Sequence, residues 1–165
     1  MEIRDPTLFL DYLDRVHERT RRVVMLVPPA DLEWAPAPGK FTFGDVVRHL
    51  ATIERDLYAE SALGRPSRYR GHGTELASGL DATQAFYDAQ HAESRAILAG
   101  LGADALQGKI TTPAGTSMTL WKWLRLMLEH EVHHRGQLYL MLGMRGVATP
   151  PIFGLTSEEV RARSA

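Results

Sequence analysis

Apolar residues recur at helical spacing in four long stretches of the chain. The first carries Phe9, Tyr12, Leu13, Val16, Val23, Val24 and Val27. It opens at Asp5-Pro6, a capping residue followed by proline at the first helical position, and Pro28-Pro29 halts it. The second opens at Thr42-Phe43-Gly44-Asp45, which has the spacing of a capping box, and presents Val46, His49, Leu50, Ile53 and Leu57 before Gly64-Arg65-Pro66. The third opens at Asp81-Ala82-Thr83-Gln84, read as another capping box, with Phe86, Ala89, Ile97, Leu98 and Leu101 inward and Gly100 and Gly102 at its end. The fourth runs from about Thr119 to Leu142 and is expected to close at Gly143. Its stripe is Leu120, Trp123, Leu124, Met127, His130, His134, Leu138 and Met141.

The segments between the helices are of different kinds. Residues 67–79 are polar with three glycines and read as a surface excursion. Lys109 to Met118 is β-prone around Pro113-Ala114-Gly115 and reads as a short hairpin or extended loop. After Pro150-Pro151 a short helix is expected near Thr156–Arg163, with Ser157 as its cap. The fold class is therefore all-α. It is a four-helix bundle with a short hairpin or extended loop before the last long helix and a short C-terminal helix, residues 1–165 forming a single domain.

Two polar residues interrupt the fourth stripe. His130 and His134 are four apart, which puts both rings on one helix face about 6 Å apart at Cβ. Imidazoles buried where leucine is expected cost stability unless something satisfies them, and a divalent metal does so. A catalytic site of this type takes three protein ligands and leaves room for water or substrate. His49 is the best third ligand, because Val46 and Ile53 place it on the inner stripe of the second helix. The same residues also read as core histidines satisfied by neighbours. His133, turned about 100° from His134, is a weaker ligand, and His17, His72 and His91 read as surface residues. Arg135 fits either an exposed helix position or a carboxylate-binding role, and Gln137, three residues past His134, can steady that ring. Trp121 and Leu128 point outward and are compatible with a dimer.

Composition narrows the chemistry. The 165 residues carry a formal charge of -1, so nothing electrostatic favours nucleic acid or an anionic membrane as partner. Cysteine is absent, which removes disulfides, thiolate ligands and a cysteine nucleophile and fits a cytoplasmic location. No hydrophobic signal core and no run of membrane-spanning length is visible. His130-Glu131-Val132-His133-His134 also satisfies the H-E-x-x-H pattern of zinc peptidases, with Glu131 as base. The extended peptidase form requires Gly and His where this chain has Gln137 and Leu140. A downstream glutamate ligand would have to be Glu158 or Glu159 in the polar tail, and no edge strand offers a peptide a place to lie.

The phrase from His130 to Gln137 near the end of a long helix, followed by Leu142-Gly143-Met144 and Pro150-Pro151, resembles the DinB-like superfamily, also described as damage-inducible or YfiT-like metal-dependent hydrolases. Pro38-Gly39-Lys40-Phe41-Thr42-Phe43 leading into Val46-Val47-Arg48-His49-Leu50 resembles that family's entry into its second helix, so the resemblance covers nearly the whole chain. It implies a four-helix bundle, often a homodimer, with a divalent metal (zinc or nickel) on three histidines, here His49, His130 and His134. Some relatives use low-molecular-weight thiols of the mycothiol or bacillithiol type. Three functions follow as expectations. The first is a metal-dependent thiol transferase acting on a small molecule, with Arg135 holding a carboxylate of thiol or substrate. The second is a metal-dependent hydrolase that activates water, with Glu131 as base. The third is a non-catalytic, metal-stabilised stress-response or interaction module.

Overall fold

Asp5 starts the first helix, its carboxylate accepting the Thr7 and Leu8 N–H groups at 2.8 and 3.2 Å. Helix α1 then runs Pro6–Val24. The structure, a computed structural model, describes residues 2–164. Thr42 and Asp45 form the expected reciprocal capping box, which contributes about 1 kcal/mol to helix α2. That helix is α-helical over Phe43–Thr52, π-helical over Ile53–Ala59 and α-helical again over Glu60–Ala62, one unbroken run from 43 to 62. Helix α3 spans Leu80–Ala99, a short α4 follows at Ala103–Gln107, and α5 spans Leu120–Met144. Between α4 and α5, strands β1 (Lys109–Thr111) and β2 (Ser117–Thr119) pair antiparallel with Ile110 opposite Met118, so the Pro/Gly segment is a hairpin. Helix α6, Ser157–Arg163, ends the described chain.

The long helices α1, α2, α3 and α5 make the bundle: α2 packs on α3, and α1 packs on both α3 and α5. Its apolar core is in two pieces. One holds Leu13, Val16, Tyr58, Leu98, Leu106 and Leu124. The other holds Val23, Phe43, Val46, Val47, Leu138 and Leu142. Between them, all four helices turn buried polar residues inward: His17 and Thr20, Glu54, Gln90, His91 and Ser94, and Glu131 and Arg135. Most members of this layer satisfy one another, His17 Nδ1 being left without a partner. Thr20 and Ser94 hydroxyls donate back to the Val16 and Gln90 carbonyls, and Tyr87 donates to Glu131 at 2.8 Å.

Several expected details change. The third helix has no capping box: Gly79, at φ 84°, stands at its start, and Thr83 donates to the Gly79 carbonyl instead. The buried face of α3 is Thr83, Tyr87, Gln90, His91, Ser94 and Leu98, so only Leu98 of the expected stripe is fully inside. Gly143 lies within α5, which reaches Met144 before Gly146 at φ 72° reverses the chain. Thr156, not Ser157, caps α6, because Glu159 reciprocates its bond. Leu128 is buried in the lower core and does not point outward, and Trp121 packs partly against the same core.

The π-helical stretch sits where the polar layer crosses α2. Along it and into the next turn Glu54, Asp56, Tyr58, Ala59 and Glu60 are all buried, Glu54 inside the bundle and Asp56 and Glu60 beneath residues 65–70. Arginines meet two of the acids, Arg70 pairing with Asp56 at 2.9 Å and Arg68 with Glu60 at 2.6 Å, while Glu54 faces His91. Residues 67–79 therefore do more than cross the surface. They fold back on α2, where the Arg48 guanidinium donates to the His72 and Ala77 carbonyls at 2.7 and 3.1 Å and Thr52 donates to Gly71. Arg48 is fully buried and also bonds Glu33 and Asp45. Gly44 leaves room for this cluster, since a Cβ there would lie 2.8 Å from the guanidinium nitrogens.

Candidate metal centre

His49 lies two turns into α2, and His130 and His134 lie one turn apart on the facing side of α5. The fold brings the three together. One ring nitrogen from each lies within 4.8 Å of the others, and His49 Nε2 is 3.1 Å from His130 Nε2. The ring centroids are 4.5 to 5.0 Å apart. All three side chains are half-buried, so the cluster is reached from solvent.

The opposite ring nitrogens of His134 and His49 are held from outside. Gln137 Oε1 accepts from His134 Nδ1 at 2.9 Å, one turn along the helix as the spacing suggests. Tyr69 Oη lies 2.7 Å from His49 Nδ1 and 3.3 Å from His72 Nδ1. A relay in which His49 donates to Tyr69 and Tyr69 donates to His72 satisfies every group. It leaves the Nε2 lone pair of His49 facing His130, where a shared proton or a cation is required.

Burial first, and then the neighbouring His134 and His72, push the His49 imidazole down to about 4. Burial, His134 and His49 push His130 down to about 3, and burial lowers His134 as well. All three are neutral at pH 7, the form that ligates a metal. Phe41 covers the cluster, its ring lying parallel to His134 at 6.5 Å and packed on His72 at 4.3 Å. Tyr58 packs between Trp123 and His130, and burial raises its hydroxyl to about 12, so it stays protonated.

Not every residue singled out in the sequence joins this site. Glu131 turns into the bundle, is 4% exposed, and accepts from Tyr87; burial first, then Glu54, raises its carboxyl to about 7. Arg135 is buried as well, its Nη1 directed at the Val16 carbonyl and Thr20 hydroxyl of α1. It is therefore neither an exposed helix residue nor at the mouth of the cluster. His133 is exposed. His17 and His91 are buried in the polar layer, with rings stacked 3.7 Å apart, and are not surface residues. Their signal was present in the sequence: His17 follows Leu13 by four, and His91 follows Tyr87 by four, each on its helix's inner stripe. Tyr69 and His72 had no comparable signal, because only the fold of 67–79 brings them to His49.

The model of the DinB superfamily matches residues 12–138. The chain belongs to the DinB superfamily. Three solved structures share its fold. A DinB-like protein from Bacillus cereus is 19% identical with a TM-score of 0.73, covering 87% of this chain and 94% of that one. The DinB-like protein YjoA from Bacillus subtilis is 19% identical with a TM-score of 0.72, covering 87% of this chain and 95% of that one. YfiT from Bacillus subtilis, described as a probable metal-dependent hydrolase with an unusual four-helix bundle topology, is 18% identical with a TM-score of 0.71, covering 90% of this chain and 91% of that one. No curated protein matches the chain significantly. Among the described residues, no helix is long and apolar enough to cross a membrane.

Proposed function

We propose that this DinB-superfamily protein is a metal-dependent enzyme that binds one divalent cation at His49, His130 and His134 and acts on a small electrophile with a low-molecular-weight thiol. The supporting observation is the approach of three neutral, half-buried imidazoles, with His49 and His130 nitrogens 3.1 Å apart. Three imidazoles suit zinc or nickel. When bound, such a cation supplies Lewis acidity, which lowers the pKa of a thiol or water that reaches it. Tyr69 and Gln137 orient the ligating rings through their outer nitrogens. Phe41 gives the mouth an apolar wall. His72, accepting from the Tyr69 hydroxyl at 3.3 Å, steadies the His49 ring through that tyrosine. The chain has no cysteine, so a thiol nucleophile would come from solution.

A hydrolytic reading of the same site is supported by the description of YfiT. Glu131 would not serve as its base, since it faces Tyr87 inside the bundle. One experiment separates the two. The zinc- or nickel-loaded protein is assayed for consumption of an activated electrophile with and without mycothiol, bacillithiol, coenzyme A or cysteine. Turnover that needs thiol and is lost in His134→Ala supports thiol transfer. Thiol-independent ester or amide cleavage supports hydrolysis and overturns it.

A further inference from the structure

His91 lies in the polar layer, and both nitrogens of its ring face carboxylates from other helices. Nδ1 is 3.2 and 3.4 Å from the two oxygens of Glu54 on α2, and Nε2 is 3.3 Å from Asp14 Oδ1 on α1. Ionised carboxylates only accept, so a ring bonded to both carries a proton on each nitrogen. We propose that His91 is a buried imidazolium that clasps α1, α2 and α3 together, and that loss of one ring proton at alkaline pH opens the clasp.

The surroundings favour that charge. Glu54 is 4% exposed, and among the described residues His91 is the one cation paired with it. A buried carboxylate without a partner is costly, so the proton belongs where it neutralises one. Asp14 is part-exposed and fixed by Arg95, whose Nε is 3.0 and 2.9 Å from its two oxygens. It anchors the outer end of the clasp, where a proton can leave to water. Glu131 on α5 adds a third buried acid to the field at the ring. Burial opposes the charge; Glu54, Glu131 and Asp14 outweigh it and raise the ring above its ordinary value.

His17 on α1 completes the surroundings. Its ring stacks on His91 at 3.7 Å and 9°, and two cations so placed would repel. His17 yields: burial first, and then His91, push it down to about 4, so it is neutral at pH 7. Its Nε2 donates to Asp88, which Arg21 holds at 3.1 Å. Its Nδ1, which has no partner, is then an unfilled acceptor and not a stranded N–H. When His91 loses its Nδ1 proton, Glu54 meets a lone pair with no water to turn to. The π-helical turn that carries Glu54 loses its tie to α3.

The clasp needs no metal and is independent of the function proposed above. Nuclear magnetic resonance of the 15N- and 13C-labelled full chain tests it. At pH 7 both ring nitrogens of His91 should have the 15N shifts of protonated nitrogens, and His17 should have one protonated and one bare. The His91 midpoint should lie above that of a free imidazole and fall by about one pH unit in Glu54→Gln. Amide exchange along residues 87–95 should quicken as pH rises through that midpoint, beyond what base catalysis of exchange produces. Should Glu54→Gln fail to fold, Asp14→Asn at its part-exposed position replaces it, with the same downward shift expected. A bare His91 Nδ1 at pH 7, with the proton on Glu54, would overturn the proposal, as would a midpoint that the substitution leaves in place. Exchange that ignores the titration would overturn the opening of the clasp.

Discussion

Replacing Arg48 with methionine keeps the aliphatic stem and deletes a guanidinium that joins three parts of the chain. It bonds Glu33 and Asp45, and it donates to the His72 and Ala77 carbonyls at 2.7 and 3.1 Å. Glu33 and Asp45 are 44% and 21% exposed, so both can rehydrate, and losing those ion pairs costs about 1 kcal/mol. The two carbonyls lose charge-assisted donors worth about 1.5 kcal/mol each. Relief from dehydrating the guanidinium offsets part of this, leaving a net loss of about 2 kcal/mol. Urea unfolding at pH 7 measures it as a fall in the midpoint at constant slope. Because His72 and Ala77 bracket the segment that follows Tyr69, the same change releases Tyr69 from His49, and zinc affinity should drop about 10-fold. Arg48→Lys retains charge without the planar fork and should recover less than half of the stability. A midpoint unchanged by either substitution would refute the claim that this arginine holds residues 67–79 over the site.

Acid should destabilise the chelated protein. His17, His49 and His130 titrate at about 4, 4 and 3 in the folded chain, against about 6.5 when unfolded, so their contribution is present above 6.5 and lost as pH falls toward 4. His91, raised by Glu54 against the cost of burial, and Glu131, raised to about 7 by burial, oppose this, because their contributions are present at low pH and lost as pH rises. His134 is lowered too, so four depressed histidines outweigh two raised groups, and by pH 5 His17, His49 and His130 each remove about 2 kcal/mol; a urea midpoint equal at pH 7 and pH 5 contradicts the neutral-histidine account. Leu13→Ala, at a position with 0% exposure, should cost about 3 kcal/mol by calorimetry, and a loss below 1 would mean the lower core repacks freely. Gln137→Ala should weaken zinc binding about 10-fold in a competition titration while leaving Tm within a few degrees, and unchanged affinity would make its bond to His134 incidental.

The bundle was legible because its signals are local. Asp5 and the Thr42/Asp45 pair cap the helices they precede, and the apolar stripes of α1 and α5 locate most of the core. The three clustered histidines were legible for the same reason, since each lies on a stripe that must face a neighbour. The polar layer was not. A search for apolar periodicity selects Phe86 and Ile97, yet Thr83, Gln90 and Ser94 take the inward positions, because back-bonded hydroxyls and paired side chains can be buried without penalty. The π-helical turn was equally hidden: nothing in Ile53 to Ala59 signals a wider period, and it arises where the helix carries acids into that layer. Tyr69 and His72 reach His49 only through long-range bonds from Arg48 and Thr52, which no spacing rule contains.

The central claim is that His49, His130 and His134 hold a divalent cation. Elemental analysis of the purified chain, after reconstitution with zinc or nickel, tests it against single alanine substitutions at each position. The account predicts that every one of the three substitutions removes one equivalent of metal while circular dichroism stays native. Equal metal content in the native chain and in all three variants would contradict it and reduce these histidines to a polar patch between α2 and α5.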